Sequence, residues 1–535
     1  CCKVRRSGAP KEVPVTQKSV LLLCPHSDKH MSEVTLMQPA PGVVRLAGYL
    51  SAKGHDAEYY DVNLYNVTGN GPSTEEKIRE REWDIIGFSC LEDSLENDIQ
   101  DMYLAHRIWP KALLVAGGME AQFNYQNILD KSPCNIVILA EGEVPMRMIA
   151  DGEPYQDIPG IIFKNNAVPL SQELFNDATE TIPWENLPYE EYWDYYVQKY
   201  GDKITEENLK EIHTVRVFSR NRCPIGCRFC TSTNQLTWGS DEKVPVISAT
   251  EDNLIRVIDR IVASHPRVRT IYLTDDDFCI NKRSVIRFCQ KVAERDYGDL
   301  SFMCFARITD LNDEVMSWLS KANFRRLNIG IESFSQRVLD EMGKRCDADE
   351  MHENLALLKK HGIKPFMNMI MITPKTGLED LEMSVDQCMR YVYDPFYSAG
   401  VNLAVKPMRG SEFYEMYTDY KSEVVRLEGT PHYLKRDELI WAEDPIIREI
   451  QSAYYEGIDA ETSRRIEQED IRHTTATNLA KIKLEFFQRL INEARERHGL
   501  PARVWTHYRA PSDEDENETY VGTASYGGFS RYALT

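Results

Sequence analysis

The chain has 535 residues, 42% hydrophobic and 27% charged, enough for two to four domains with full cores and an ordinary composition for a soluble protein. Its net charge of −21 excludes a nonspecific nucleic-acid binder, because phosphate backbones demand Lys and Arg. No apolar run approaches the roughly 18 residues of a membrane span, no signal peptide is visible, and thirteen cysteines with three clustered do not form a secreted disulfide framework, so a reducing cytoplasm is the expected location.

Residues 1–17 are basic and polar, a loose lead-in. Ser19 to Cys24 (SVLLLC) has the composition of a buried parallel strand. Pro41–Leu50 reads as a helix with Val43, Val44, Leu46, Ala47 and Leu50 on its apolar face. Further strands are expected at Ala57–Asp61, Asp84–Ser89, Ala112–Ala116 and Asn135–Leu139, with helices between them. That alternation predicts an α/β first domain over residues 1–150, a doubly wound Rossmann-like sheet. Ligands of such sheets bind beyond the carboxyl ends of the strands. Two of those ends carry Ser89-Cys90-Leu91 and Gly117-Gly118.

These two stretches resemble the S-x-L and G-G signatures of cobalamin-binding domains. The resemblance implies that Ser89 and Leu91 meet the nucleotide tail of cobalamin while Gly117 and Gly118 leave room for it. Pro39–Leu50 and Glu141-Gly142-Glu143 also resemble stretches of that subfamily. Asp28-Lys29-His30-Met31-Ser32-Glu33 lies where D-x-H-x-x-G would stand, but Glu33 replaces the Gly. His30 is therefore expected to be a plain loop histidine and not a lower cobalt ligand. The alternative for the whole domain is a Rossmann-like fold that binds nothing.

Residues 151–212 read as a linker without sustained periodicity. Its aromatic cluster (Trp184, Tyr189, Tyr192, Trp193, Tyr195 and Tyr196) is expected to pack between domains rather than to stack bases. From His213 to about residue 410 strand and helix alternate again. Strands are expected at His213–Ser219, Thr270–Leu273, Ser301–Arg307, Arg326–Gly330, Lys364–Ile372 and Gly400–Lys406, and helices include Asp252–Ala263 and Lys282–Glu294.

The first of these strands runs into Cys223-Pro-Ile-Gly-Cys227-Arg-Phe-Cys230, with Pro224 and Gly226 forcing a tight turn. Thiolates suit zinc or iron–sulfur clusters. Zinc sites close on four ligands, usually as two pairs, and no matching C-x-x-C lies nearby. Three thiols on one loop fit three corners of a [4Fe–4S] cube with one iron open. A structural zinc or three unrelated thiols are the alternatives. The loop resembles that of the radical S-adenosylmethionine (SAM) enzymes, whose open iron chelates the amino and carboxylate groups of SAM.

That resemblance implies a partial (β/α)6 barrel over residues 213–410, with chemistry at the strand ends. It places Asp275 and Asp276, in the TDDDF stretch, against the SAM amino group, although a triple Asp also suits Mg²⁺. Arg307 is assigned to the SAM carboxylate, which a guanidinium grips bidentately. Gly330-Ile331-Glu332-Ser333 matches G-I-E-S, which assigns Glu332 and Ser333 to the ribose. Asn368 and Pro407–Ser411 match the fifth and sixth strand ends, and Thr373-Pro-Lys-Thr376 departs from the usual G-x-P-G-E-T. Each residue alone also reads as an ordinary loop or ion-pair residue. Cys279 is expected near the site, Cys304 pointing away from it, and Cys289, Cys346 and Cys388 in packing roles.

Residues 411–535 are expected to form a mainly helical cap and substrate region. Its amphipathic stretch carries Leu479, Ile482, Leu484, Phe486, Leu490 and Ile491, and an acidic tail starts at Ser512. Trp441, Trp505 and His507 are candidate substrate contacts. Over roughly residues 18–410 the chain resembles cobalamin-binding radical SAM enzymes. The implied cofactors are a [4Fe–4S] cluster, SAM and cobalamin. The implied activity is methylation of an unactivated carbon of a small molecule or peptide, through a 5′-deoxyadenosyl radical and methylcobalamin. The electron donor would be a flavodoxin or ferredoxin. A cyclase or ring-rearranging enzyme, such as a tetrapyrrole cyclase, is the runner-up. A nonenzymatic cobalamin or redox sensor would need neither the Cys triad nor Glu332.

Overall fold

Two parallel sheets carry the molecule. The computed structural model describes residues 17–27, 37–163, 166–201, 204–232, 238, 244–468 and 476–508. The expectations for residues 1–16, for His30 and Glu33, and for the acidic tail lie outside the described residues.

The first sheet contains β1 (Ser19–Leu23), β2 (Asp56–Tyr60), β3 (Ile85–Ser89), β4 (Leu113–Gly117) and β5 (Ile136–Val137), in the order β2-β1-β3-β4-β5. The order reverses at β1, which is the kind of switch point beside which such sheets bind ligands. After Ser19, strand β1 is apolar because both of its faces are covered. Leu21 and Leu23 join one core, Val20 and Leu22 the other. Helix Pro41–Ala52 begins on a proline, whose missing N–H costs nothing in a first turn, and buries Val43, Val44, Ala47 and Leu50. The strand expected over Asn135–Leu139 is only two residues long. Beyond it Ile138 bridges antiparallel to Ile161, and Leu139 N donates to Gly160 O at 2.7 Å, so the returning linker takes over that edge.

The second sheet contains β6 (Thr214–Val217), β7 (Thr270–Leu273), β8 (Ser301–Arg307), β9 (Phe324–Glu332), β10 (Lys364–Ile372) and β11 (Ser398–Ala404), neighbours in chain order. This is a six-stranded parallel barrel sheet. Ile271, Leu273, Phe302, Cys304, Leu327, Ile329, Met367 and Met369 point outward into one core with the helices. Alternate residues face the other side, where Asn328 Nδ2 donates to Tyr272 OH at 2.7 Å and the Tyr272 and Phe305 rings lie 5.5 Å apart.

The linker is more regular than its composition suggested. Helix Tyr189–Tyr200 buries Tyr189, Tyr192, Trp193 and Tyr196, a helical spacing built from aromatic residues. Tyr192 OH donates to Asp61 of the first domain at 2.8 Å, while Trp193 packs 5.0 Å from His213 at the foot of the barrel.

After the barrel come helices Pro445–Gln468 and Ala476–Arg497, joined through a Tyr454–Phe487 stack at 4.2 Å. Ahead of them stands an antiparallel hairpin that the sequence reading missed, β12 (Tyr420–Arg426) and β13 (Tyr433–Ile440). Its register shifts at Lys421/Ser422, and a bulge there breaks the period-two pattern that would have marked it. Leu427 and Leu434 of this hairpin are buried in the core of the first domain. Among the described residues no helix is long and apolar enough to cross a membrane.

Candidate functional site

Strand β6 leads directly into the cysteine loop, and Asp275 fastens the junction. Its Oδ1 accepts from Ser219 N at 2.8 Å and Arg220 N at 2.7 Å, and its Oδ2 pairs with Ser219 Oγ. Burial pushes this carboxyl up to about 6, while those hydrogen bonds and Arg220 pull the other way. Asp275 therefore faces the chain, a correction to its expected role at the SAM amino group. Asp276 is exposed and accepts from Ser232 Oγ at 3.0 Å, two residues beyond Cys230.

Within the loop Gly226 takes φ 81°, and Cys230 N donates to Cys227 O at 3.1 Å. Two other segments clamp it, through Arg228 N to Met342 O (2.8 Å) and Phe413 N to Arg228 O (2.9 Å). Cys223, Cys227 and Cys230 are free and partly exposed. Burial raises all three thiols, Cys223 to about 12 and Cys230 to about 11, with Asp276 adding to both; Lys344 and Arg307 pull Cys227 back. Iron would reverse this, since a coordinating thiol is deprotonated. Among the described residues no three His, Cys, Asp or Glu side chains converge on a single metal position. A cubane binds each thiolate to a different iron, so its donors surround a cube rather than a point.

At the end of β9 the register shifts between Asn368/Met369, and Glu332 adopts φ 65°. The left-handed turn brings its carboxylate to Lys344 Nζ at 2.7 Å, with both residues buried. A Cβ on Gly330 would lie 2.4 Å from Glu332 Oε1 and 2.5 Å from Lys344 Nζ, so glycine there makes room for the pair. Arg307 Nη2 donates to Lys344 O (2.7 Å) and Arg345 O (3.1 Å), and its Nη1 pairs with Asp310 at 3.2 Å. Its fork thus holds the turn that carries Lys344, where a direct grip on a ligand carboxylate was expected. Ser333 is also corrected. It is buried behind the strand, 2.9 Å from Ser384 Oγ, and accepts from Ser335 N. Asn368 stays partly open on the inner face, flanked in register by Gly330 and Gly400.

The departure at TPKT has a local explanation. Glu341 pairs with Thr373 Oγ1, accepts from Lys375 N at 3.2 Å and receives Tyr417 OH at 3.1 Å, so a side chain holds the turn. Sequence reading missed Lys344 and Glu341 because both lie on the segment after the G-I-E-S stretch, far in sequence from what they touch. Cys279 is fully buried in the core, against expectation, whereas Cys289, Cys304 and Cys388 are buried as expected. Cys346 sits in the open turn after Lys344 and is only partly buried. Trp505 and His507 belong to a segment bound to helix Leu378–Val392, with Thr506 N donating to Asp386 at 3.3 Å.

In the first domain Ser89 and Gly117 are register partners on β3 and β4. The loops that follow are joined directly, by Cys90 N to Gly117 O (2.8 Å) and Glu120 N to Cys90 O (3.2 Å). The free space lies over Gly117, where an added Cβ would meet no atom within 4 Å. Gly118 has φ 95°, and its added Cβ would lie 2.8 Å from Cys90 O, so it serves the backbone. Leu91 is partly exposed beside them. The next residue, Met119, accepts a 3.2 Å contact at Sδ from Thr231 Oγ1 of the cysteine loop. The two candidate sites therefore touch.

Two known families match the chain. The Radical SAM superfamily matches residues 217–388, and the B12 binding domain matches residues 31–150. The chain therefore carries a radical SAM domain and a B12-binding domain. Among curated relatives, the anaerobic magnesium-protoporphyrin IX monomethyl ester cyclase of Rubrivivax gelatinosus is 25% identical over 68% of this chain and 64% of its own length. An uncharacterized methyltransferase of Pyrococcus horikoshii is 22% identical over 68% of this chain and 76% of its own. Among solved structures, the cobalamin-dependent radical SAM enzyme OxsB with aqua-cobalamin bound matches with a TM-score of 0.66 and 14% identity, covering 91% of this chain and 75% of that one. The radical SAM methyltransferase TsrM of Kitasatospora setae, with cobalamin and a [4Fe–4S] cluster bound, matches with a TM-score of 0.58 and 12% identity, covering 90% and 100%.

The cofactors of this radical SAM and B12-binding pair are a [4Fe–4S] cluster, SAM and cobalamin. The residues present fit them. Three free thiols share one loop. The barrel mouth beside them offers a carboxylate, a cation and the open Asn368. The first sheet leaves free space over Gly117 at its ligand-binding end.

Proposed function

We propose that the chain is a cobalamin-dependent radical SAM methyltransferase acting on an unactivated carbon of a small molecule or peptide. The observation that carries this reading is the Thr231–Met119 contact, which sets the strand ends of the B12-binding domain against the cysteine loop. When bound, the cluster supplies an electron to SAM and cobalamin carries the methyl group; the chain's share is to align them and exclude water and oxygen. Cys223, Cys227 and Cys230 hold the cluster. Glu332 receives the ribose with Lys344 steadying its carboxylate, and Asn368 and Asp276 face the rest of SAM. Arg307 and Asp275 position the loops that carry these groups. Ser89, Leu91 and Gly117 line the cobalamin side. The reading divides the chain into residues 1–150, a linker 151–212, a barrel 213–410 and a C-terminal region 411–535. It requires a one-electron donor of flavodoxin or ferredoxin type.

A second reading, ring formation without methyl transfer, draws on the two cyclases among the relatives, the second from Cereibacter sphaeroides. Quantifying SAM products in anaerobically reconstituted protein with reduced cobalamin separates the two. A methyltransferase yields S-adenosylhomocysteine beside 5′-deoxyadenosine. Deoxyadenosine with no S-adenosylhomocysteine at any cobalamin concentration overturns the methyltransferase reading in favour of the cyclase.

A further inference from the structure

We infer that Asp277 is a positioning residue for SAM: its carboxyl keeps a proton and donates it to Asp310, which leaves one arm of Arg307 for the turn that carries Lys344. The inference rests on the barrel mouth being a working SAM site. The three aspartates after β7 go three ways. Asp275 is tied to Ser219 and Arg220, Asp276 to Ser232, and Asp277 turns toward the end of β8. The short turn Phe278–Ile280 that follows packs against β8. Asp277 is 2% exposed. Its Oδ1 caps that turn by accepting from Cys279 N at 3.1 Å, whereas its Oδ2 is buried and receives no hydrogen bond. Beside it, within hydrogen-bonding reach, stands a second carboxyl, that of Asp310.

A capping role alone would leave that oxygen unsatisfied in the interior, and two ionised carboxyls side by side repel unless each has a cation. The nearby guanidinium groups are already engaged. Arg307 gives Nη1 to Asp310 at 3.2 Å and Nη2 to Lys344 O and Arg345 O. Arg220 gives Nη1 to the Asp277 carbonyl and Nε to Ser248 Oγ at 2.9 Å. Neither hydrogen-bonds the Asp277 carboxyl. One proton resolves both difficulties: Asp277 Oδ2–H donates, an ionised Asp310 accepts, and a single guanidinium balances the charge that remains. Burial and the charge of Asp310 push Asp277 up to about 8, with Arg307 opposing. The other titratable groups that face it, Cys223 and Cys304, bring no positive charge. Loss of the proton would set two carboxylates against one guanidinium and draw it off the turn that presents Lys344 to Glu332.

The test is equilibrium dialysis of SAM against the full-length reconstituted protein, from neutral to alkaline pH. Asp277→Asn keeps the Oδ1 acceptor and gives Asp310 a permanent N–H donor. At neutral pH it should bind SAM within about twofold of wild type, whereas Asp277→Ala should bind about tenfold more weakly, with iron content and circular dichroism unchanged. The proton's contribution is present below the Asp277 value of about 8 and is lost as pH rises through it. Wild type should therefore fall about tenfold behind Asp277→Asn at the alkaline end. The amino group of SAM also titrates in this range, but equally for both proteins, so it cancels in their ratio. A ratio of wild type to Asp277→Asn that stays constant with pH overturns the shared proton; so does equal binding by Asp277→Asn and Asp277→Ala. Wild type that holds its cluster and binds no SAM overturns the SAM reading and this inference with it.

Discussion

At the carboxyl end of the first sheet the backbone makes the site, whereas at the end of the barrel side-chain charges do. Gly118 lets the β4 loop lie on Cys90 O, and main-chain bonds join it to the β3 loop. In the barrel the buried Glu332–Lys344 pair, the Arg307 fork and the Asp275 latch hold the loops instead. The contrast follows from what each end must accommodate. A large neutral ligand needs an uncluttered surface with its polar groups already satisfied. A small zwitterion beside a cluster needs charges fixed in a dry setting, where they act strongly and cost much if left unpaired. Substitutions should therefore fail by different routes at the two ends.

The largest effect is expected at the cysteine loop. Replacing Cys223, Cys227 and Cys230 together by Ala should take iron from about four per chain, the cubane content, to none and abolish SAM cleavage, as read by iron analysis and product chromatography. Close to eight irons in wild type would reveal a second cluster. Next comes the buried pair. Glu332→Gln or Lys344→Met alone leaves one unpaired buried charge, or an unpaired buried carboxylate, at a cost of about 3–5 kcal/mol, while the double substitution should recover much of it. Urea unfolding reads the cost, and equilibrium dialysis should show weaker SAM binding in Glu332→Gln with iron retained. Equal stability of single and double variants would show that the charges do not act as a pair.

A smaller effect is expected in the first domain, where two adjacent glycines should behave differently. Gly118→Ala introduces strain of about 1–3 kcal/mol together with a clash at Cys90. Gly117→Leu should leave the thermal midpoint near wild type and block cobalamin uptake. Identical behaviour of the two would erase the distinction between a backbone glycine and a ligand glycine. The smallest effect is on pH dependence. Burial raises Asp98 to about 8 against the hydrogen bonds from Ser94 Oγ and His26 N, with Asp101 adding to the rise. The folded state thus prefers the protonated acid. Its contribution is complete below the unfolded value of about 4 and is lost as pH rises to about 8. Asp98→Asn should flatten stability across that window in denaturation curves.

Much of this was legible in the sequence because it depends on neighbours along the chain. The apolar run of β1, the outward and inward alternation of β8, and the eight-residue cysteine loop are local patterns, and each is found where the spacing put it. The aromatic stripe at Tyr189, Tyr192, Trp193 and Tyr196 was equally local, and only its composition hid its helical period.

Tertiary structure decided which of the candidate side chains turn toward the site. Asp275 and Arg307 have the right chemistry to bind SAM, but partners 37 to 56 residues away draw them onto the chain. Ser333 adjoins Glu332, yet the left-handed turn at Glu332 sends it to Ser384 on the opposite side. Lys344, Glu341 and the β12–β13 hairpin carry no motif and matter only through what folding brings beside them. A motif specifies residue types at the end of a strand. Where each carboxylate or guanidinium points depends on which distant donors and acceptors it must satisfy once buried, and spacing along the chain does not encode that.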